Sequence, residues 1–246
     1  MRRRYAEPPH RYVSNKKCTV LFVLSIVSSL ESTLFECHDA GMLNRNPDRH
    51  DKEEEEERDA YRPRQLELLD QLERLFFSRG YRALTMDLIA QELRCSKRAL
   101  YEIAPNRKML FLKVVARWAS RVQALGDSAA SQFDHPRKKL TAYLEPGITE
   151  SRGMTDRFLE DIREDDQARE VLENHQRVRM ARLQEIIEYG IGNGEFADVH
   201  AKLVAGICLA AIERINDPHF LADAGLGFSD AFSELYRLLL DGLARG

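Results

Sequence analysis

The stretch LTMDLIAQELRCSKRALYEIAPNRKMLF, residues 84–111, decides how this chain folds. Thr85 and Ser96 are residues of the kind that cap helix N-termini, and apolar residues recur at helical spacing after each of them. A turn of only Arg94 and Cys95 separates the two segments. Two short helices joined by so tight a turn predict a helix-turn-helix, a motif whose second helix can enter the major groove of DNA.

The predicted helices begin with cations, where helix electrostatics favours anions. Lys97 and Arg98 open the second helix, and Arg107 and Lys108 open a third helix after Asn106. A cation at a helix N-terminus costs about 0.3–1 kcal/mol, because that end carries a partial positive charge. Two successive helices with this feature indicate an anionic partner nearby, and phosphate suits such a position.

The charge of the chain is unevenly distributed. Residues 61–125 contain 13 Lys and Arg against 6 Asp and Glu, which is a net +7. Since the whole chain carries −3, the remainder must carry −10. A basic segment on an otherwise acidic protein is typical of a local DNA-binding surface.

The rest of the chain has the pattern of a helical protein. Apolar residues recur at helical spacing from about residue 62 onward, and no alternating strand pattern appears after residue 60. We expect an all-α fold of about nine helices. Glycine and proline set the expected helix ends, so that one helix stops at Gly126 and the next at Leu144, before Pro146.

Residues 198–215 are apolar on several faces. A helix of this kind must be buried on all sides. In a domain this small, we expect it to pack partly against a second subunit. The alternative is a central core helix in a monomer.

Residues 1–60 differ from the remainder of the chain. A basic leader precedes the 13-residue apolar run 18–30, which is shorter than the ~20 residues that a membrane-spanning helix needs. An acidic block occupies residues 51–59. We expect a marginally ordered extension, with Met42 as a candidate initiator. A segment packed on the body, or a membrane or export role, are the alternatives.

The four cysteines and the histidines suggest no metal site. Cys18, Cys37, Cys95 and Cys208 are widely separated, and no Cys-x-x-Cys or Cys/His ligand spacing exists. This usage fits a reducing cytoplasm. We therefore expect a cytoplasmic protein with no structural metal and no cofactor.

Several motifs together resemble the TetR family of bacterial transcriptional regulators. They are the segments 85–90 (TMDLIA), 96–101 (SKRALY) and 105–111 (PNRKMLF), with a weaker likeness at 190–196 (GIGNGEF). The resemblance implies a three-helix DNA-binding domain over 61–110 and a helical effector-binding and dimerisation domain over 111–246. It also implies a dimer whose interface is a four-helix bundle formed by the last two helices of each subunit.

The same resemblance assigns residues to DNA. Arg98 is the candidate for reading guanine, Tyr101 for a phosphate, and Thr85, Ser96 and Arg107 for phosphates that set register. A solvated arginine and a packing tyrosine are the alternatives for the first two. The expected DNA-binding residues are Thr85, Ser96, Lys97, Arg98, Ala99, Tyr101, Arg107 and Lys108.

The sequence departs from the family pattern directly after Tyr101. Glu102, Ile103 and Ala104 stand where the family has an aromatic residue or His and then Phe. The absence of Phe weakens the packing of the recognition helix unless Ile103 or Phe111 compensates. Glu102 would repel phosphate unless it accepts a hydrogen bond from a cytosine amine.

An effector cavity and a dimer interface are harder to predict. Aromatic residues on several helices suit a cavity for a small apolar or aromatic effector, although each can equally fill the core. The candidate ligand-binding residues are Trp118, Phe133, Tyr143, Phe158 and His175. The candidate interface residues are Leu203, Ile207, Ala211, Phe232, Leu235 and Leu239.

These observations predict a homodimeric repressor that binds a pseudo-palindromic DNA operator and leaves it when a small molecule binds. One alternative is a membrane-tethered regulator that uses residues 18–30. The other is an all-α enzyme, for which no catalytic motif is found. Five clustered carboxylates between Glu160 and Asp166 are interpreted as a solvated helix end rather than a catalytic group.

Overall fold

The computed structural model describes residues 61–244, which form ten α-helices and no β-strand. The all-α prediction is therefore confirmed, with one helix more than expected. In chain order the helices are α1 (Pro63–Arg79), α2 (Met86–Glu92), α3 (Lys97–Ile103), α4 (Arg107–Ser131), α5 (Pro136–Thr149), α6 (Asp156–Glu164), α7 (Asp166–Gly192), α8 (Ala201–Ile215), α9 (Pro218–Ala224) and α10 (Phe228–Gly242).

The predictions for residues 1–60, including the apolar run 18–30, lie outside the described residues. Within 61–244, no helix is both long and apolar enough to cross a membrane.

The helix-turn-helix forms as the capping pattern predicts. The side chain of Thr85 accepts a hydrogen bond from the amide of Leu88 at 3.2 Å, and Ser96 accepts one from the amide of Ala99 at 3.1 Å. Arg94, in the turn, has a φ of 50°, which is uncommon for a residue other than glycine. This left-handed residue lets α3 begin after only four residues that follow the end of α2.

Two expected helix ends are wrong. Helix α4 continues through Gly126 to Ser131, and α5 continues through Pro146 to Thr149. A Cβ atom on Gly126 would lie 3.0 Å from both the Tyr143 carbonyl oxygen and Nη1 of Arg179. Gly126 therefore serves the close packing of α4 against α5 and α7 rather than the end of a helix.

The helix that sequence reasoning missed is α9. The side chain of Asp217 caps it through the amide of His219 at 3.0 Å, Pro218 opens it, and Gly225 ends it with a φ of 67°. Asp, Pro and Gly at these positions are ordinary helix signals.

The body is a bundle in which α4 packs against α5 and α7, α7 against α8, and α10 against α5 and α8. Helix α6 packs against both α1 and α7, so it links the first three helices to the body. The core is continuous through this region. Phe111 on α4 stacks on Tyr81 with ring centroids 4.1 Å apart, and it contacts Phe158 on α6 edge to face at 5.7 Å.

Candidate functional site: helix-turn-helix surface and body cavity

The exposed side of α3 is basic. The side chain of Arg98 is 89% exposed, and Tyr101 is 51% exposed. Lys97 is also exposed, and its ammonium lies 2.8 Å from the carboxylate of Asp87 on α2. The hydrogen bond to Asp87 raises the pKa of Lys97, so this side chain carries its charge at neutral pH. Three of the four groove-facing candidates on α3 are thus open to a large partner.

The fourth candidate, Ala99, is half-buried against the core. Thr85 and Ser96 act as helix caps, where each hydroxyl oxygen accepts a backbone amide. A hydroxyl group can accept and donate at once, so each cap retains a proton to donate. Their predicted phosphate role is compatible with this geometry.

The residues that depart from the family pattern pack well. Ile103 is 5% exposed and Ala104 3%, and both belong to the core together with Leu100 and Phe111. Phe111 also stacks on Tyr81. The conditional expectation that Ile103 or Phe111 takes over the missing packing therefore agrees with the structure.

Glu102 is placed beside Arg98. Its carboxylate lies 3.3 Å from Nε of Arg98, one helical turn away on the same face. An exposed pair of this kind contributes about 0.3–0.5 kcal/mol. Glu102 can therefore orient Arg98. Because the pair is weak, DNA can break the Arg98–Glu102 contact at a small cost in free energy.

Arg107 and Lys108, which were predicted to contact phosphates, are both engaged by neighbouring groups of the protein. Nη1 of Arg107 donates to the carbonyl oxygen of Arg82 at 3.1 Å and also to that of Leu84. Its guanidinium lies 5.4 Å from the centre of the Tyr81 ring. The ammonium of Lys108 lies 3.0 Å from the carboxylate of Asp165. Both cations fasten the start of α4 to its surroundings.

Two of the clustered carboxylates are buried, so their interpretation as a solvated helix end is wrong for Asp161 and Asp165. Asp161 accepts hydrogen bonds from the amides of Tyr81 at 2.5 Å and Arg82 at 3.3 Å. A Cβ on Gly80, whose φ is 69°, would lie 2.5 Å from the same carboxylate. Asp161 thus binds the backbone that follows α1, and a glycine is needed for it to approach.

The two carboxylates differ in pKa. Burial raises the pKa of Asp161 and outweighs the backbone hydrogen bonds and the nearby arginines that lower it. Burial also acts against the charge of Asp165. There, however, Lys108 and the amides of Ala168 and Gln167 together lower the pKa below its ordinary value. Of the two buried carboxylates, Asp165 therefore keeps its negative charge to lower pH.

The body holds a cavity between α4, α5, α7, α8 and α10, with an empty volume of about 370 Å³ that includes solvent at its mouth. Trp118 and His175 line it, with ring centroids 5.2 Å apart. The indole of Trp118 donates to the carbonyl oxygen of Glu150 at 3.0 Å. Burial, aided by Arg179, lowers the pKa of His175 to about 3, so His175 is neutral at physiological pH.

Three of the five predicted ligand residues lie elsewhere. Tyr143 is fully buried behind the cavity, where its hydroxyl donates to the carbonyl oxygen of Arg179 at 3.0 Å. Phe133 is 39% exposed, beyond the end of α4. Phe158 packs against Phe77 and Phe111 beside α1. Aromatic content alone did not reveal which helix faces meet around the cavity.

The polar groups of the cavity were also missed. Arg179, Gln176, Ser151 and Tyr236 line it, and Arg179 is only 3% exposed. Arg179 lies four residues after His175 and three after Gln176 on α7, and this spacing brings it to the same side of the helix as both of them. The helical spacing from His175 was a usable signal, but nothing in the sequence shows that this face is buried.

The predicted interface residues separate into exposed and buried groups. Leu203 is 61% exposed and Ile207 is 60% exposed on α8, while Ala211 and Leu235 are half-buried. Phe232 and Leu239 are each 8% exposed within the protomer, and Phe232 lines the cavity, so neither offers much surface to a partner. Leu238 on α10, which was not predicted, is 70% exposed.

Among residues 61–244, no group of His, Cys, Asp and Glu could hold a metal ion.

The first helices of the chain match a known protein family. Residues 68–114 match the model of the bacterial regulatory proteins of the tetR family. No curated relative matches the sequence.

Solved structures share the fold over most of the chain. A putative transcriptional regulator from Saccharomonospora viridis, in complex with choline, has a TM-score of 0.60 at 16% identity and covers 74% of this chain and 98% of its own. A TetR-family regulator from Agrobacterium tumefaciens has a TM-score of 0.58 at 17% identity, with 74% and 97% covered. Reduced NemR from E. coli has 0.57 at 16% identity, with 73% and 97% covered. At these identities the likeness shows the fold alone.

Proposed function

We propose, from the match of residues 68–114 to the model of the bacterial regulatory proteins of the tetR family, that this chain is a ligand-responsive homodimeric repressor of the TetR family. It binds a pseudo-palindromic operator in double-stranded DNA and leaves it when a small molecule occupies the body cavity. Regulators of this family act by binding DNA, and we expect no enzymatic activity. Its place of action is the cytoplasm, where the bacterial chromosome lies.

The exposed basic side of α3 carries the DNA-binding part of the proposal. Arg98, Tyr101 and Lys97 all lie on this surface and are open to solvent. Arginine can donate two parallel hydrogen bonds to guanine, which is worth about 1–3 kcal/mol of discrimination. Thr85 and Ser96 contribute hydroxyl groups at the edges of the same surface. We propose that they fix the register on phosphates.

The exposed apolar residues of α8 and α10 support a homodimer. Leu203, Ile207 and Leu238 expose most of their side chains, although the two helices pack against each other within the protomer. Burying such a side chain is worth about 1.5–3 kcal/mol. A two-fold dimer through this face would present two recognition helices, which must lie about 34–36 Å apart to read successive major grooves.

The contacts of α4 suggest how an effector acts. The start of α4 is fastened to the helix-turn-helix through Arg107, while Trp118 on the same helix lines the cavity. A ligand that favours a conformer with α4 displaced would change the separation of the two recognition helices. Ligand binding would then shift the population towards the conformer that does not fit the operator. The size of this shift depends on how much more tightly the ligand binds that conformer.

The cavity does not suit a cationic ligand. Choline, which the Saccharomonospora viridis regulator holds, is a cation. The buried guanidinium of Arg179 in this chain would repel such a ligand. We therefore propose a different class of effector for this protein.

The test is binding of the protein to the DNA upstream of its own gene and to random DNA, at two salt concentrations. We expect tight, sequence-dependent binding with two protomers on each site. Equal affinity for both DNAs, falling together with salt, would contradict an operator at that position. Binding of single protomers with full specificity would contradict the dimer.

A further inference from the structure

The cavity contains a buried cation without an acidic partner. Nη1 of Arg179 donates to the carbonyl oxygen of Val122 at 3.2 Å, and Nη2 donates to that of Tyr143 at 3.1 Å. The guanidinium also lies 4.6 Å from the centre of the Tyr143 ring. No carboxylate of the described chain lies within 4.0 Å of it, although the side chain is almost fully buried. A guanidinium stays protonated in proteins, so this charge is buried and uncompensated.

The nearby carboxylates are already paired with other arginines. Asp127 lies 3.3 Å from Arg182, one turn further along α7. Glu73 and Glu150 bind Arg121 at 2.5 Å and 2.8 Å. The protein thus supplies anions to Arg182 and Arg121, whereas the groups that contact Arg179 are neutral: two carbonyl oxygens, the Tyr143 ring and the side chain of Tyr236.

A second polar group of the cavity is also unsatisfied. Gln176 is 5% exposed, and its Oε1 is buried without a hydrogen-bond partner. It lies three residues before Arg179 on α7, and both line the cavity. Buried polar atoms are nearly always hydrogen-bonded in native proteins, so an unpartnered one indicates a missing partner. The oxygen and the nitrogen of a side-chain amide exchange places on rotation, and with its NH₂ group turned to this position Gln176 donates and needs an acceptor.

The rest of the cavity wall is apolar or neutral. Trp118 and Phe232 contribute aromatic surface, and Leu172, Met180 and Ile212 contribute aliphatic surface. His175 is neutral at physiological pH, so among the described residues that line the cavity only Arg179 carries a charge. One cation in a mostly apolar cavity matches a monoanion with an apolar body.

We propose that the effector is a small organic monocarboxylate, whose carboxylate pairs with Arg179 and accepts a hydrogen bond from the rotated amide of Gln176 while its apolar body lies against Trp118. This inference rests on the proposed function, in which the cavity is the effector site. A guanidinium binds a carboxylate through two parallel hydrogen bonds, and such charge-assisted bonds are stronger than neutral ones. The pairing would also relieve the uncompensated charge, which gives the ligand a reason to enter.

The chain offers a direct readout, because Trp118 is its single tryptophan. The fluorescence of the full-length protein is titrated with benzoate, benzyl alcohol and benzylamine, which share the ring and differ in charge, and with hexanoate. We expect benzoate or hexanoate to change the emission and to bind about 10- to 100-fold more tightly than the alcohol or amine. Equal or tighter binding of the alcohol or amine, or no binding of either carboxylate, would overturn the proposal.

Variants separate charge from packing. In Arg179→Met, carboxylate binding should fall about 10- to 100-fold to the level of benzyl alcohol, whose own affinity should stay nearly unchanged. Gln176→Leu keeps the cation and should weaken the carboxylates less. Should Arg179→Met fail to fold, the comparison of the three ring compounds on the unaltered protein and on Gln176→Leu still decides. Undiminished carboxylate binding in a folded Arg179→Met would overturn the role of Arg179.

The operator complex distinguishes this inference from the proposed function. Release of DNA by benzoate in the unaltered protein, but not in Arg179→Met, would support both. Specific DNA binding by a protein that does not prefer carboxylates would overturn the inference and leave the regulator standing. Carboxylate binding that depends on Arg179 but leaves operator affinity unchanged would support the anion site and overturn its role as the effector site.

Discussion

Arg98 and Arg107 are both arginines near the start of a helix in the DNA-binding domain, yet the structure gives them opposite surroundings. Arg98 is exposed and held only by Glu102. Arg107 donates to two backbone carbonyl groups and lies over Tyr81. Charge and position in the sequence made both of them candidates for DNA. The neighbouring backbone leaves only the first one available.

Substitution of Arg98 tests whether it reads a base. Arg98→Ala should cost about 1–3 kcal/mol on the operator and much less on random DNA, because a base contact discriminates between sequences. Affinities for both DNAs are measured by fluorescence anisotropy. The control is Arg177→Ala, which removes an exposed arginine of α7 and should change neither of the two affinities. Equal losses on both DNAs would show that Arg98 contacts only phosphate.

Arg107→Ala should behave differently. We expect a loss of stability of about 1–3 kcal/mol, because two carbonyl groups lose a charged donor. Operator and random DNA should weaken together, while the dependence of affinity on salt stays the same. A direct phosphate contact would instead lower the salt slope by about 1. Measuring that slope in both proteins therefore decides between a structural and a phosphate-binding arginine.

At the scale of elements, the junction between the first three helices and the body depends on α6 and the start of α7. Thr155, which precedes α6, donates its hydroxyl to the carbonyl oxygen of Phe77 at 2.8 Å. Asp161 on α6 accepts amides that follow α1, and Asp165 joins the N-terminus of α7 to Lys108 on α4. Short contacts of this kind couple α4 and α6 to the DNA-binding domain.

The two buried carboxylates provide a matched pair of substitutions. Because its pKa is lowered on folding, Asp165 stabilises the protein above its unfolded pKa of about 3.9, and this contribution disappears as the pH falls through the folded value. Asp165→Asn should thus destabilise the protein at neutral pH by about 1–2 kcal/mol, since Lys108 is half-exposed, and the difference should shrink in acid.

Asp161→Asn is the comparison for this effect. Because the pKa of Asp161 is raised on folding, its charge opposes stability at neutral pH, and protonation in acid removes that opposition. The asparagine keeps an acceptor for the amides of Tyr81 and Arg82, so we expect a much smaller loss than for Asp165→Asn. Urea unfolding at neutral and acidic pH measures both. Equal, pH-independent losses would contradict the assignment.

At the scale of the whole molecule, the proposed repressor needs two copies of the chain. Leu203→Glu or Leu238→Glu should convert the dimer to a monomer, because each would bury a carboxylate in an apolar interface. Operator affinity should then fall steeply, since each half-site alone binds weakly. Sedimentation and DNA binding measure the two effects. Leu226→Glu is the control, since Leu226 is 38% exposed and lies outside α8 and α10.

A persistent dimer in both interface variants would place the subunit contact elsewhere. The exposure of α8 bears on the expectation that residues 198–215, which are apolar on several faces, pack partly against a second subunit. In the protomer, Cys208 and Ile212 face the core while Leu203 and Ile207 remain open to solvent. The core of one chain accounts for only one side of this helix.

The sequence by itself determined the helical fold, the position of the helix-turn-helix and the caps that start its helices. These features depend on interactions over three or four residues, such as Thr85 with the amide of Leu88 and Ser96 with that of Ala99. Local hydrogen bonds and helical periodicity are present in the sequence as spacings, so they can be predicted from it.

Which charged groups are exposed and which are engaged depends on the packing of the helices. Gly126 lies inside a helix at a point where α5 and α7 leave little room for a side chain. Arg107 is engaged because its guanidinium donates hydrogen bonds to backbone carbonyl groups that lie more than twenty residues earlier in the chain. Asp161 meets Tyr81, which is 80 residues away, and Arg179 meets Val122 across 57 residues. Contacts between residues so far apart depend on how whole helices pack, and no local spacing encodes that packing.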